Sequence, residues 1–421
     1  MREMAEGILV ERKKIHSFEM SVSNCKHRAV TRPPHLGTYP WCISVIAETL
    51  PTRLVDKLYI ILILSTKGCL MISDRIKRAR VLKGCTLEEL AQRIGNITKQ
   101  GLSKFENGQS TPNSTRLLQI AKALEVSPEF FFRSEVVKLA PLEFRKLSKM
   151  PKYRQDQVAE RIREHLERYI ALEQCFDRED VLTPTTARET IIVKSPEEAE
   201  LAASRLRESW QIGEDAIVNL TELLEENGIK VAMLHGPDDF DGACAATQDG
   251  NHVLIALNAD RPGERMRFTA AHELGHWVMK FPKDMSEKNI ESCCNRFAGA
   301  FMYPTTSVTR DFGSHERSRV HPRELLIAKQ SYGISMSAAL RRLKDLNLLS
   351  DHGYQSSLIQ FSKNGWRRAE PNQLLSESPR RFESLVFWGL AEDYFSKSRA
   401  AEFLQQPVSA LDLSMSGMGI E

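Results

Sequence analysis

Five residues, His272-Glu273-Leu274-Gly275-His276, place two imidazoles four positions apart with a carboxylate directly after the first. An α-helix advances about 100° per residue, so four residues return to within about 40° of the starting direction. Both rings can then approach one metal ion from the same face, which is what the His-Glu-x-x-His pattern achieves. Glu273 points about 100° further round and is kept out of that shell. It is placed instead to take a proton from a water activated there, the work of a general base. Phe268, Ala270, Ala271, Leu274, Trp277 and Val278 make the remaining circumference apolar, as a helix buried at the centre of a domain requires.

A catalytic zinc needs three protein ligands and one open position, so one ligand remains to be found. A third histidine six residues after His276 would complete the longer metzincin motif, but Pro282 stands there and Met279 occupies the place of its glycine. The next predicted helix, Ser286 to Tyr303, carries Glu291 and Asn295 one turn apart. Glu291 on a helix packed beside the first would complete a two-histidine, one-carboxylate set. Glu287, Asp284, His315 and His321 are the other candidates for that position. Tyr303 and His252 are the polar residues that could steady a developing oxyanion.

The rest of the chain must build the scaffold. Its 421 residues exceed one ordinary domain and imply two or three. A hydrophobic content of 42% and a charged content of 27% describe a globular protein, and a net charge of +3 excludes nothing by itself. The eight cysteines are scattered without Cys-x-x-Cys spacing, which argues against a cysteine zinc ribbon and a disulfide framework. Cys293 and Cys294 read as buried thiols, and a reducing cytoplasm is the expected compartment. The strongest apolar run, Leu58 to Leu64, falls far short of the ~20 residues that cross a membrane.

Residues 1–70 show no steady periodicity and read as a poorly ordered or mis-assigned extension. Short helical patterns follow over 71–133. Ile72 to Leu82 is basic and amphipathic. Thr86-Leu-Glu-Glu89 is a capping box opening a second helix that ends at Gly95. Thr98 caps a third, running to Phe105, and Ser114 caps a fourth. Two short helices joined by a tight link form a helix-turn-helix layout. This window holds 11 Lys and Arg against 6 Asp and Glu, a net +5, which reads as an electrostatic footprint for phosphate.

Residues 134–194 read as a helical connector, Pro141 to Phe176 forming a solvated helix or hairpin and Thr183-Pro-Thr-Thr186 marking its end. Ser195-Pro-Glu-Glu198 caps a helix through Trp210, and Ile217 to Asn227 forms another. Ile229–Leu234, Gly242–Ala246 and His252–Asn258 are predicted strands of a small sheet before the histidine helix. Extended substrates are often held along the edge of such a sheet.

Two resemblances are carried by these residues. Leu90-Ala-Gln-Arg-Ile-Gly95, Lys99-Gln-Gly-Leu-Ser-Lys-Phe-Glu-Asn-Gly108 and Leu118-Gln-Ile-Ala-Lys-Ala-Leu124 resemble the Cro/C1-type (XRE) helix-turn-helix family. The resemblance implies that the third helix enters the major groove of double-stranded DNA, with Lys99, Gln100, Ser103 and Lys104 facing it. His272-Glu-Leu-Gly-His276, Glu291-x-x-Cys-Asn-Arg-Phe-Ala298 and Met302-Tyr-Pro304 resemble the ImmA/IrrE metallopeptidases, with Cys294 where their signature usually carries Ala. That resemblance implies His272, His276 and Glu291 as ligands of Zn2+ or another divalent ion, and Glu273 as the catalytic acid/base. It also implies a protein substrate, in this family usually a DNA-bound repressor.

The expected fold is α+β and mainly helical. A helix-turn-helix domain spans 71–133, a zincin-like peptidase core with a small sheet 195–310, and a helical C-terminal subdomain 311–421. The expected function is a cytoplasmic, DNA-binding regulator carrying a zinc endopeptidase, with homodimerisation through the connector as one option and no membrane partner. The alternative is a non-proteolytic repressor or antitoxin whose metal site is structural or sensory.

Overall fold

Local capping residues decide where most helices start. The computed structural model describes residues 66–133, 137–140, 150–176, 191–236 and 239–411. The apolar run at 58–64, the Thr183–Thr186 junction and residues 1–65 of the N-terminal extension lie outside them. The first helix, α1, is Thr66–Leu82, so it starts inside the stretch read as an extension.

Thr86 closes a capping box with Glu89 and opens α2, Leu87–Ile94, which stops at Gly95 in the left-handed region (φ 82°). Thr98 accepts from the Gly101 amide and opens α3, Lys99–Glu106. The fourth helix, α4, is Ser114–Leu124, capped by Asn113 rather than by Ser114. The Asn113 carboxamide reaches the Arg116 amide at 2.8 Å, so the cap falls one residue earlier than expected. A 3-10 turn, Pro128–Phe132, closes this bundle.

The long helix α5, Lys152–Glu173, is not the solvated connector expected from its charge. Val158, Ile162, Leu166 and Ile170 pack on Ala232, Phe240, Leu254 and Ala256 of the sheet face. Tyr169 and Leu172 pack with Leu385, Val386 and Phe403 of the C-terminal helices. Two of its three buried carboxylates, Glu160 and Glu167, face α1. Glu167 receives Arg75 at 2.7 Å and Arg78 at 2.9 Å, and Glu160 also receives Arg78. Apolar, acidic and aromatic stripes thus each meet a different neighbour, which is why a highly charged sequence ends up inside.

Next come β1, Ile191–Ile192, and helices α6, Pro196–Ser209, and α7, Leu220–Glu226. The helix expected from Ile217 begins only at Leu220, because Asn219 takes the N-cap. The central sheet has β2 Ile229–Leu234, β3 Gly242–Ala246 and β4 Val253–Asn258, in the order β2-β4-β3. β2 runs parallel to β4, with Ile229 opposite Val253, and β3 runs antiparallel, with Ala246 opposite Val253. Every β4 residue is buried, as a strand covered on both faces must be.

The histidine helix α8, Gly263–Val278, packs on the face opposite α5 and leads into β5, Met279–Lys280, which pairs with β1. α9, Glu287–Met302, follows. Helices α10 Thr305–Phe312, α11 Pro322–Tyr332, α12 Met336–Asp345 and α13 Asp351–Lys363 then complete the same core. α14, Arg381–Ala391, and α15, Lys397–Leu404, close against α5. Among the described residues no helix is long and apolar enough to cross a membrane.

Candidate metal centre

The site is made where α8 and α9 lie side by side. Gly275 sits at the closest approach: a Cβ there would meet Phe297 Cδ1 at 3.0 Å and Met279 Cε at 3.3 Å. The glycine between the two histidines therefore sets the distance between the helices, with Phe297 stacked on Phe301 behind it.

His272 is 3% exposed and Glu273 4%. His272 Nε2 and His276 Nε2 lie 3.1 Å apart. Glu291 reaches across from α9, Oε2 at 3.4 Å from His272 Nε2 and Oε1 at 3.2 Å from His276 Nε2. Ligands about 2.1 Å from a tetrahedral zinc are about 3.4 Å from each other, so these three separations match the edges of such a shell. Two ring nitrogens and a carboxylate are also the donor set that suits zinc and its neighbours. The residues present therefore fit a divalent ion.

Asn295 orients the first ring. Its Oδ1 lies 2.9 Å from His272 Nδ1, and an amide oxygen can only accept. The Nδ1 proton is thereby held there, and the Nε2 lone pair faces the cluster. Sequence reasoning placed Asn295 on the right helix face but assigned it no role; its spacing of four from Glu291 was the available signal. Cys294, the residue that replaces the signature's Ala and whose thiol could bind or be oxidised near a metal, has its Sγ and a nitrogen of each histidine within 4.8 Å of one another.

The other candidates for the third ligand fall elsewhere. Asp284, Glu287 and His315 are exposed, and His321 caps α11, its Nδ1 accepting from the Arg323 amide at 3.1 Å. Tyr303 is fully buried, stacked on Tyr332, and its hydroxyl donates to Asp311 at 2.6 Å. Burial and the Asp311 carboxylate push that phenol up, so its proton stays on the oxygen and is directed at Asp311. His252 lies 3.8 Å from Glu173, and burial lowers its pKa.

An ion cluster ties α9 to its neighbours through Arg296. Glu200 of α6 receives Arg342 through both oxygens, at 2.7 and 2.8 Å, and also Arg296 and Thr305. Burial alone would push Glu200 up, but the Arg342 hydrogen bonds and charge outweigh it and hold the carboxyl at about 2.

In the N-terminal bundle, Lys99, Gln100 and Lys104 are exposed on α3, whose Leu102 is buried, and Ser103 is half-buried. Ser103 Oγ accepts from Asn107 at 3.2 Å. The basic excess of this segment overstates the charge available to phosphate. Arg75 and Arg78 are buried against Glu160 and Glu167, and Arg133 pairs with Glu402. Those acidic partners lie outside the window in which the charge was counted.

Fold and site together describe two modules, a small helix-turn-helix bundle and an α/β domain built around the helix pair that carries His272, His276 and Glu291. Residues 76–131 match the family model described as Helix-turn-helix, and residues 225–344 match the peptidase family M78 model described as IrrE N-terminal-like domain. The chain carries an XRE-type helix-turn-helix domain followed by an ImmA/IrrE-like domain of metallopeptidase type.

Over 63 residues, 15% of its length, it is 33% identical to the SPbeta prophage-derived uncharacterized HTH-type transcriptional regulator YonR of Bacillus subtilis (strain 168), covering 57% of that protein. Over 68 residues, 16% of its length, it is 34% identical to the uncharacterized HTH-type transcriptional regulator y4wC of Sinorhizobium fredii (strain NBRC 101917 / NGR234), covering 47% of it. The chain thus spans about half the length of the curated relatives it matches.

Proposed function

We propose that this protein is a cytoplasmic, DNA-binding transcriptional regulator that hydrolyses a peptide bond in another protein, a repressor being the expected substrate. The observation that carries the reading is the convergence of His272 Nε2, His276 Nε2 and Glu291 within 3.1–3.4 Å, beside a buried Glu273. His272, His276 and Glu291 would hold Zn2+ or a related divalent ion. When bound, that ion supplies Lewis acidity, polarising a carbonyl and making water a usable nucleophile near neutral pH.

Glu273 then does the proton work. Its carboxylate takes a proton from the attacking water and returns it to the leaving amine nitrogen. Asn295 keeps His272 in the tautomer the site needs, and the packed apolar sides of α8 exclude competing water. Lys99, Gln100, Ser103 and Lys104 are proposed to face DNA. The match to proteins named as transcriptional regulators supports that half of the reading.

A non-proteolytic regulator with a closed, structural or sensory metal site is the second reading, and the proximity of Cys294 Sγ favours it. Incubating purified protein with repressors encoded beside its gene, against a Glu273→Gln variant, separates the two. Cleavage by wild type and its loss in the variant supports the peptidase. Equal cleavage by both removes the proposed role of Glu273, and no cleavage of any candidate leaves the second reading.

A further inference from the structure

Besides Asn295, two side chains of α9 approach the imidazole pair, and the ligand set proposed above uses one of them. Cys294 follows Glu291 by three residues, about 60° away around the helix, and is fully buried. Its Sγ and one nitrogen each of His272 and His276 lie within 4.8 Å of one another. The adjacent Cys293, equally buried, points about 100° away from it round the helix.

We propose that Cys294 Sγ is a direct donor to the ion held here, alongside Glu291 on the same helix; the proposal rests on the metal-site reading above. Around one ion, nitrogens at about 2.1 Å and a sulfur at about 2.3 Å stand roughly 3.6 Å apart. The thiol reaches that position by a movement on the order of 1 Å, within the reach of one χ1 adjustment and a small shift of α9.

The chemistry of the set changes with it. Two imidazoles and a carboxylate accept many divalent ions, whereas an added thiolate selects softer ones such as Zn2+, Co2+ and Cd2+ over Mg2+ and Mn2+. The thiol gives up its proton to solvent as the metal–sulfur bond forms. Four protein donors close the shell in the manner of structural sites. Hydrolysis at the same centre then requires Sγ to withdraw when substrate arrives, so Cys294 would hold the site at rest.

Cobalt titration of the metal-stripped full-length chain tests this without reference to activity. Visible d–d absorption reports occupancy, and a near-ultraviolet thiolate-to-cobalt charge-transfer band reports the sulfur bond. Wild type and Cys293→Ala are expected to show both signals at one equivalent of Co2+. Cys294→Ala is expected to keep the d–d signal, lose the charge-transfer band and bind Co2+ at least about tenfold more weakly, the cost already seen for outer-shell partners. Cys294→Ser serves the same purpose should the alanine variant fail to keep its helical circular dichroism.

One equivalent of Co2+ bound by wild type without the charge-transfer band overturns the thiol assignment and leaves the metal site standing. So does a band that persists in both Cys294 variants. Failure of wild type to bind Co2+ at all overturns the metal site and this proposal together.

Discussion

His272 Nδ1 and Asn295 Oδ1 lie 2.9 Å apart, joining the first ring of the imidazole pair to the helix that also carries Glu291. One amide therefore fixes both a tautomer and the relation between two helices. Asn295→Ala is expected to weaken metal binding about 10- to 100-fold, the range for outer-shell partners of a metal-bound histidine. Competition titration against a chromophoric chelator measures this, and unchanged affinity would remove Asn295 from the site.

A Cβ at Gly275 would stand 3.0 Å from Phe297 Cδ1, so the ring or its helix must give by a few tenths of an ångström. Gly275→Ala is expected to push α8 and α9 apart and cost about 1–3 kcal/mol, the usual range for overpacking. Urea unfolding reads the stability. Loss of metal affinity in the same variant, at temperatures where it remains folded, would show that helix separation sets the site. If affinity holds, the glycine matters for packing alone.

Lys99 and Lys104 are exposed on α3. Each replacement by Ala is expected to reduce the slope of log affinity for DNA against log salt by about one phosphate contact. Binding measured by fluorescence anisotropy over a salt series gives the slope directly. Slopes identical to wild type would place both lysines away from the phosphate backbone.

Arg78 is wedged between Glu160 and Glu167, all three buried. Arg78→Met leaves two buried carboxylates short of a cation, and breaking such a pair typically costs about 3–5 kcal/mol. Because the contact joins α1 to α5, the helix-turn-helix bundle is expected to melt separately from the rest. Calorimetry showing one cooperative transition, unchanged in temperature, would contradict this.

His165 lies buried beside Tyr169 and Phe382, and among the described residues its Nε2 has no hydrogen-bond partner. Burial, reinforced by Arg168, lowers its pKa from 6.5 to about 3. The folded ring stays neutral while the unfolded one takes up a proton below its ordinary pKa. Its contribution is therefore intact above pH 6.5 and declines as pH falls toward 3, by up to about 1.4 kcal/mol per pH unit. The difference in unfolding free energy between wild type and His165→Gln is expected to shrink over that window. A difference independent of pH would show the ring to be solvated.

Much of the fold could be read locally because caps and turns are local. Thr86 with Glu89, Thr98, Ser195 and Ser286 each satisfy amides within their own first turn, and strand patterning placed β2, β3 and β4. The misreadings have two causes, a rival cap beside the expected one and a partner far along the chain. Asn113 outcompetes Ser114, and Asn219 takes the N-cap ahead of the expected start at Ile217. α5 looked solvated because its glutamates find arginines about eighty to ninety residues away. Local pattern cannot reveal a partner that only the folded chain brings near.

The sequence by itself determined the spacing of His272 and His276 on one helical face, the exclusion of Glu273 from that face, and the two-module order of the chain. Helical periodicity is a property of covalent geometry and needs no neighbour to express it. Only the tertiary structure decided that Glu291, rather than Asp284, Glu287, His315 or His321, meets the imidazole pair, that Asn295 holds the first ring, and that Cys294 stands close to both rings. Those are distances between helices, with Gly275 of α8 packed against Phe297 of α9, and packing of that kind has no signature at any single position along a chain.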